Sequence, residues 1–187
     1  MVKNIIMAGV GGQGIILSSN IACAAFLEAG FDVKKSEIHG MAQRGGSVMS
    51  HVRFGDKVYS PVVSHQGADV VVSFEHMEFL RYMGYVNEKT TLILNTRKIL
   101  PPSVAMGTAQ YPDSLIDDYK GKFAQVYEIE ADKIAAEAGN VKAAGMPLLG
   151  ELCKILGMDK EIWENVIRSS VPPKTLDINI KAFRSVF

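Results

Sequence analysis

The sequence has few cysteines, no surplus of charge and no long apolar run, and each shortage excludes a class of protein. Among 187 residues the only cysteines are Cys23 and Cys153, too few thiolates for the chain to hold an iron–sulfur cluster by itself. No apolar run approaches the length that a membrane-spanning helix needs. Basic and acidic residues number 20 each, so no global field draws the chain to nucleic acid or to an anionic membrane.

Targeting and metal-binding signals are also missing. The N-terminus leads directly into a strand-like segment and lacks the apolar core and cleavage site of a signal peptide, so we expect a cytoplasmic protein. In a reducing compartment the two cysteines are expected to be free thiols within the core. No two histidines have the spacing of metal ligands on a helix, and we predict no metal site.

What the sequence does contain is a pattern of alternating strands and helices, of a length that suits one domain over residues 1–187. A strand, helix and strand at 3–8, 15–29 and 31–36 predict a parallel sheet with right-handed crossovers. Further strands are predicted at 48–54, 58–60, 68–74, 91–95 and 123–127. Further helices are predicted at 75–83, 115–120 and 131–138, followed by two helices over 143–168 that are split near 157–159. The expected fold is a single Rossmann-like α/β domain: a mostly parallel sheet flanked by helices, with a small β-hairpin extension at 48–60 and a helical C-terminal tail.

A cluster of glycines joins the first strand to the first helix. Gly9, Gly11 and Gly14 fit the G-x-G-x-x-G pattern, in which a tight turn brings an anion to the backbone N–H groups of a helix N-terminus. A dinucleotide site also requires an acid near the end of the second strand, where Glu37 lies, although two lysines beside it obscure the pattern. Alternatively, the glycines form a sharp turn that packs against a neighbouring chain.

A second polar loop, residues 36–47, should leave the carboxyl end of a strand, the edge at which ligands bind in open α/β sheets. His39 can donate, accept or carry a proton near neutral pH. Arg44 is a permanent cation whose planar fork suits a carboxylate or a phosphate, and Gly45 and Gly46 can direct N–H groups at an anion. The alternative is a polar interface loop with a capping arginine.

These two segments together resemble a known family. Residues 8–15 (AGVGGQGI) and 36–48 (SEIHGMAQRGGSV) are similar to the gamma-type domain of the 2-oxoacid:ferredoxin oxidoreductases, and the form HGMAQRGG resembles the indolepyruvate-type members. Further similarity occurs at 52–55, 59–61 and 68–69, at the strand ending in Asn95, and at 179–183. The resemblance therefore extends over nearly the whole chain.

The resemblance implies a role within a complex. Members of the family decarboxylate a 2-oxoacid with coenzyme A and reduce ferredoxin. They use thiamine diphosphate, Mg²⁺ and [4Fe–4S] clusters, which a larger alpha subunit carries in the indolepyruvate type, so this chain is expected to hold no cofactor. The thiamine signature Gly-Asp-Gly…Asn is absent. Other possibilities are a gamma subunit acting on 2-oxoglutarate, pyruvate or branched-chain 2-oxoacids, a stand-alone NAD- or FAD-binding protein, or a subunit used only for assembly. Another possibility is a homodimer of the isolated chain.

The resemblance also suggests which residues form the site. We expect the glycine turn and the second loop to form one edge of the active-site cleft, against the alpha subunit. His39, Gln43 and Arg44 are the candidate catalytic residues at this edge. The candidate contacts to a phosphate or to the partner are Gly9, Gly11, Gly12, Gln13, Gly14, Gly45 and Gly46.

Overall fold

A six-stranded mixed sheet runs through the computed structural model, which describes residues 1–40, 46–123 and 125–187. The strand order is β2-β3-β1-β4-β5-β6. The strands are β1 Lys3–Val10, β2 Asp32–His39, β3 Ser47–Gly55, β4 Val70–Ser73, β5 Thr91–Asn95 and β6 Gln125–Ile129. The α-helices are α1 Ile15–Glu28, α2 Pro102–Ala105, α3 Asp113–Lys120, α4 Ala131–Ala138, α5 Gly145–Ile155, α6 Lys160–Ser170 and α7 Leu176–Arg184. Short 3-10 helices occupy Glu78–Tyr85, Val141–Ala143 and Pro173–Thr175.

The predicted mostly parallel sheet is confirmed, with one strand running against the others. β1, β4, β5 and β6 pair in parallel, whereas β3 is antiparallel to both β1 and β2. Because β2 opposes β3 and β3 opposes β1, β2 runs in the same direction as β1. The predicted β1–α1–β2 unit is therefore present, but β3 is inserted between its two strands.

The predicted hairpin extension at 48–60 is wrong, because β3 pairs inside the main sheet and residues 58–60 form no strand. Side chains satisfy the backbone there instead. The N–H of Val58 donates to the Asp32 carboxylate at 2.9 Å, and the Arg53 guanidinium donates to the carbonyl of Ser60 at 2.8 Å. The side chain of Val58 is buried. Hydrogen bonds with side chains, rather than strand pairing, therefore hold residues 58–60 against the edge of the sheet.

Strand β1 separates two apolar layers, because alternate side chains of a strand point to opposite faces of the sheet. Ile5 and Met7 pack into the larger layer under helices α1, α5, α6 and α7. Ile6 and Ala8 pack into the smaller layer. The helical tail is confirmed and ends with α7, which the sequence pattern did not predict. Trp163 on α6 is fully buried against Phe26, as expected for a core residue.

The common direction of five strands brings their carboxyl ends to one edge of the sheet. The glycine turn follows β1 at this edge, the second loop follows β2, and the segments after β4, β5 and β6 join them there. In the described ranges, no helix combines the length and apolarity needed to cross a membrane.

Candidate functional site

The side chain of Gln13 makes hydrogen bonds on the inner side of the glycine turn, residues 9–14. Its Oε1 accepts from the N–H of Val10 at 2.6 Å, and its Nε2 donates to the carbonyl of Phe74 at 3.0 Å. A Cβ on Gly9 would lie 2.6 Å from that Oε1 and 2.8 Å from the Cβ of Phe74, so only glycine fits there. Gln13 therefore fastens the turn to the end of β4 through hydrogen bonds to the backbone at both places.

The outer side of the turn presents unpaired backbone donors. Helix α1 begins after Gly14, which has a positive φ of 84° and provides no side-chain cap, and the first turn has no acidic residue. The N–H groups of residues 15–17 have no acceptor among the described residues. Together with the partial positive charge of a helix N-terminus, they form an electropositive surface at the sheet edge.

The structure brings the two sequence-predicted segments together. The N–H of Gly11 donates to the carbonyl of Gly46 at 2.8 Å. His39, the last residue of β2, lines a cavity of about 400 Å³ with Gly11, Ile16 and Val48. The His39 imidazole is half exposed and lies 3.8 Å from the carboxylate of Glu37. The glycine turn and both ends of the second loop therefore lie at the same edge of the sheet.

Three of the predicted site residues, Gln43, Arg44 and Gly45, lie outside the described residues. The base of their loop is fixed on its far side by Ser47, whose hydroxyl contacts the carboxylate of Glu78 and the phenol of Tyr82. Glu78 is nearly fully buried. Both ends of the loop are therefore anchored, Gly40 through an N–H bond of 2.7 Å to the carbonyl of Ser47 and Gly46 through Gly11.

Glu37 does not occupy the position that a dinucleotide-binding acid requires. Its carboxylate pairs with the ammonium of Lys35, which also contacts Asn20 and, at 3.4 Å, the Ser19 hydroxyl of α1. Moreover β3 lies between β1 and β2. Because neighbouring strands lie about 4.8 Å apart, the insertion moves Glu37 roughly one strand further from the turn than in a dinucleotide-binding unit.

A second cavity at the same edge contains two cations that the sequence did not single out. It has a volume of about 420 Å³, and Arg97 and Lys142 line it together with the glycine turn. Arg97 donates to the carboxylate of Asp132 at 2.9 Å. Lys142 is the middle residue of the 3-10 helix Val141–Ala143, which follows α4. No local motif marks either residue, because both reach the edge only through the strand and helix order.

Asn95 at the end of β5 acts as a structural cap. Its Nδ2 donates to the carbonyl of Phe74 at 3.1 Å and to Asp132 at 2.7 Å. Its Oδ1 accepts from the N–H of Ala131, the first residue of α4, at 3.2 Å. The side chain borders the cation-lined cavity, but its hydrogen bonds are directed into the protein.

The thiols and imidazoles away from this edge are structural. Burial raises the pKa of both Cys23 and Cys153 to about 11, and both are free cysteines. Burial lowers the pKa of His51, whose Nδ1 accepts from the N–H of Val63 at 3.3 Å. Within the described part of the chain, no group of three or more His, Cys, Asp or Glu side chains could hold a metal ion.

Comparison with known proteins agrees with this architecture. Indolepyruvate oxidoreductase subunit IorB of Thermococcus kodakarensis is 43% identical to this chain over 96% of the chain and 92% of its own length. The subunit of the same name from Pyrococcus horikoshii is 44% identical with the same coverage. The crystal structure of pyruvate oxidoreductase subunit PORC from Thermotoga maritima has the same fold, with a TM-score of 0.76 at 24% identity, and the match covers 98% of this chain and 93% of that one. The model of the pyruvate ferredoxin/flavodoxin oxidoreductase family matches residues 4–187, and the chain belongs to that family.

Proposed function

We propose that the chain is the small subunit of a 2-oxoacid:ferredoxin oxidoreductase of the indolepyruvate type and that it acts only within a complex. Relatives named indolepyruvate oxidoreductase subunit IorB, 43% and 44% identical over almost their whole length, support this specificity. A subunit role also agrees with the cysteine count, since two cysteines cannot ligate a cluster alone.

The proposed partner is a larger subunit that carries thiamine diphosphate, Mg²⁺ and the [4Fe–4S] clusters, with coenzyme A as the acyl acceptor. Carbanion stabilisation and single-electron transfer are cofactor chemistry, so the contribution of this chain is to shape and charge the cleft. We place the complex in the cytoplasm, a reducing compartment in which thiols such as those of Cys23 and Cys153 stay free.

One observation carries the assignment of the cleft edge: the hydrogen bond of 2.8 Å between the N–H of Gly11 and the carbonyl of Gly46. It joins the glycine turn to the second loop, so both segments face the partner from the same edge. We propose that His39 and Gln43 supply hydrogen bonds there. Arg44 would pair with a carboxylate or phosphate group of the substrate, of coenzyme A or of the partner.

The first test is anaerobic purification of the complex from native cells, followed by an assay of coenzyme A-dependent dye reduction. We expect a larger partner with thiamine diphosphate and clusters, and faster reduction with arylpyruvates than with 2-oxoglutarate, pyruvate or branched-chain 2-oxoacids. A preference for one of those other acids would contradict the indolepyruvate assignment. A chain that purified alone would contradict the subunit assignment.

The second test addresses Arg44. Arg44→Ala should strongly reduce turnover of the assembled complex, because the proposed anion contact is lost. Arg168→Ala is the matched control, since Arg168 lies half exposed on α6, outside the cavities lined by the glycine turn. Activity of Arg44→Ala within about twofold of wild type would refute the role of Arg44.

The nucleotide alternative has its own test, a thermal-shift assay of the isolated chain with NAD, NADP and FAD. A ligand at a hundred times its dissociation constant adds about 2.7 kcal/mol of stability. We expect no shift, because Glu37 pairs with Lys35 and β3 separates its strand from the glycine turn. A clear shift with one of these nucleotides would instead support a stand-alone nucleotide-binding protein.

A further inference from the structure

The outer edge of β2 is unpaired, since β2 is the last strand on its side of the sheet and no further strand joins it among the described residues. Its pairing with β3 decides which backbone groups point outward. The N–H of Gly40 donates to the carbonyl of Ser47 at 2.7 Å, in continuation of the β2–β3 register. Hydrogen-bonded and non-hydrogen-bonded pairs alternate along an antiparallel ladder. Four residues therefore direct their N–H and C=O groups away from β3: Val33, Lys35, Glu37 and His39.

The charges along this edge favour one antiparallel pairing between β2 and a second copy of itself. A nearly complete overlap of the two strands leaves three positions for the two-fold axis, at Lys35, Ser36 or Glu37. An axis at Lys35 sets two ammonium groups opposite each other and an axis at Glu37 sets two carboxylates opposite each other, and like charges in this position are destabilising. An axis at Ser36 instead sets Lys35 of each copy opposite Glu37 of the other. Because these two side chains already form an ion pair within one chain, four charges of alternating sign then surround the axis.

The same register covers exposed apolar groups on both faces of the sheet. Ile38, which is 50% exposed, comes to lie opposite Lys34 of the second copy, whose methylene stem covers it while the ammonium stays in water. On the other face α1 lies over β2, where the Asn20 side chain contacts the ammonium of Lys35. Leu27, two turns further along the same side of α1, is 57% exposed. A two-fold axis perpendicular to the sheet keeps both α1 helices on one face and brings these sides towards each other.

We infer that two copies of the chain associate through their β2 edges, antiparallel about an axis at Ser36, and join their six-stranded sheets into one. The backbone of an edge strand accepts any extended segment, but the charges of Lys35 and Glu37 on either side of Ser36 are complementary to themselves, which selects a second copy. The inference goes beyond the proposed function and does not depend on it, because every group involved belongs to this chain. Within the proposed complex, the contact links two small subunits.

A disulfide across the axis tests the register in the full-length chain. In Ser36→Cys the two introduced thiols belong to a non-hydrogen-bonded pair, whose Cα atoms lie about 4.5 Å apart, within the range that a disulfide spans. We expect mild oxidation to convert this variant to a covalent dimer. Lys34→Cys is the matched control, because its two thiols lie four residues apart along the strands, roughly 13 Å, and should not bond. The native Cys23 and Cys153 compete little, since burial raises the pKa of each to about 11.

Charge reversal tests the ion pairs, with the dimer dissociation constant of the full-length chain measured by sedimentation over a dilution series. Lys35→Glu leaves only carboxylates around the axis and Glu37→Lys leaves only ammonium groups, so we expect each to raise this constant at least tenfold. An equal mixture of the two variants should form a heterodimer, because every cross-strand pair then joins opposite charges; a folding defect would not be repaired by mixing. Lys89→Glu, at an exposed residue next to the amino end of β5, is the control and should stay within about twofold of wild type.

Three results would overturn the inference. The first is a wild-type chain that stays monomeric at micromolar concentrations. The second is a Ser36→Cys variant that forms no more covalent dimer than Lys34→Cys does. The third is a dimer whose dissociation constant is unchanged by both Lys35→Glu and Glu37→Lys, since its interface would then lie elsewhere. None of these results bears on the proposed function, which is tested by the partner and the activity of the native complex.

Discussion

Gly9 is the tightest point of the glycine turn, and the structure predicts that not even a methyl group fits there. The Cβ of an alanine would lie 2.6 Å from Oε1 of Gln13, 2.8 Å from Cβ of Phe74 and 3.0 Å from Cδ1 of Ile15. The Gln13 side chain could move, but the Cβ of Phe74 is fixed by the backbone just after β4. The turn itself must therefore shift in a Gly9→Ala variant.

Gly9→Ala is expected to lower the free energy of unfolding by about 2–4 kcal/mol. Overpacking in a well-packed site costs about 1–3 kcal/mol. Displacement of Gln13 would also weaken its bonds to the N–H of Val10 and the carbonyl of Phe74, each worth about 1 kcal/mol. The overpacking and the weakened hydrogen bonds both act on the same turn. Partial relaxation of that turn would bring the loss of stability to the lower end of this range.

The same turn offers a matched control in Gly11→Ala. A Cβ on Gly11 would meet the carbonyl oxygen of Gly46 at 3.5 Å, an ordinary contact, and Gly11 is not among the glycines with positive φ. We expect Gly11→Ala to lie within about 0.5 kcal/mol of wild type. Urea unfolding can be followed by circular dichroism and by the fluorescence of Trp163, the single, buried tryptophan. Equal midpoints for the two variants would refute the steric argument.

Three further predictions concern groups away from the cleft edge. Tyr111→Phe should cost about 1.5–3 kcal/mol in urea unfolding, because the buried Glu75 carboxylate loses the Tyr111 hydroxyl, which donates to it at 2.7 Å. The thiol of Cys153 should react with Ellman's reagent at pH 8 only after unfolding, since burial raises its pKa from 9.0 to about 11 and lowers the thiolate fraction about a hundredfold. Hydrogen bonds from Arg184 lower the pKa of Glu164 below its usual value of 4.5. The pair therefore stabilises the fold above that pH, and the stabilisation is lost as the pH falls through the folded pKa. The destabilisation caused by Glu164→Gln should therefore be full at pH 7 and shrink towards pH 3, and a difference independent of pH would contradict this.

The sequence predicted the strand at 48–54 but not its place in the sheet. Alternating residues identify a strand, and the nearby turn at Gly55 suggested a hairpin with its neighbour in the chain. The actual partners are β1 and β2, which are chosen by burial on both faces of β3. Pairing between strands that are distant in sequence depends on the assembled core, so a local sequence pattern cannot predict it. The parallel direction of the other strands could be predicted, because strands joined by a helical crossover run in the same direction.

The candidate site, too, could be predicted from the sequence only in part. The glycine turn and His39 were predicted because each stands next to a strand end in the sequence, and strand direction then brings them together. Arg97 and Lys142 could not be predicted. They reach the cavity from segments 45 residues apart, and only the order of β5, α4 and the following 3-10 helix places them side by side.

A single inserted strand separates the glycine motif from the acid that a dinucleotide site requires. With β3 between β1 and β2, the end of β2 lies about 10 Å from β1 instead of about 5 Å, so an acid there is moved away from a ribose bound at the turn. Glu37 pairs with Lys35 instead, and Gln13 holds the turn from inside. The donors on the outer side of the turn stay open, and beside them lies the cavity lined by Arg97 and Lys142. The glycine turn of this chain therefore presents backbone donors at the sheet edge without the acid that would complete a dinucleotide site.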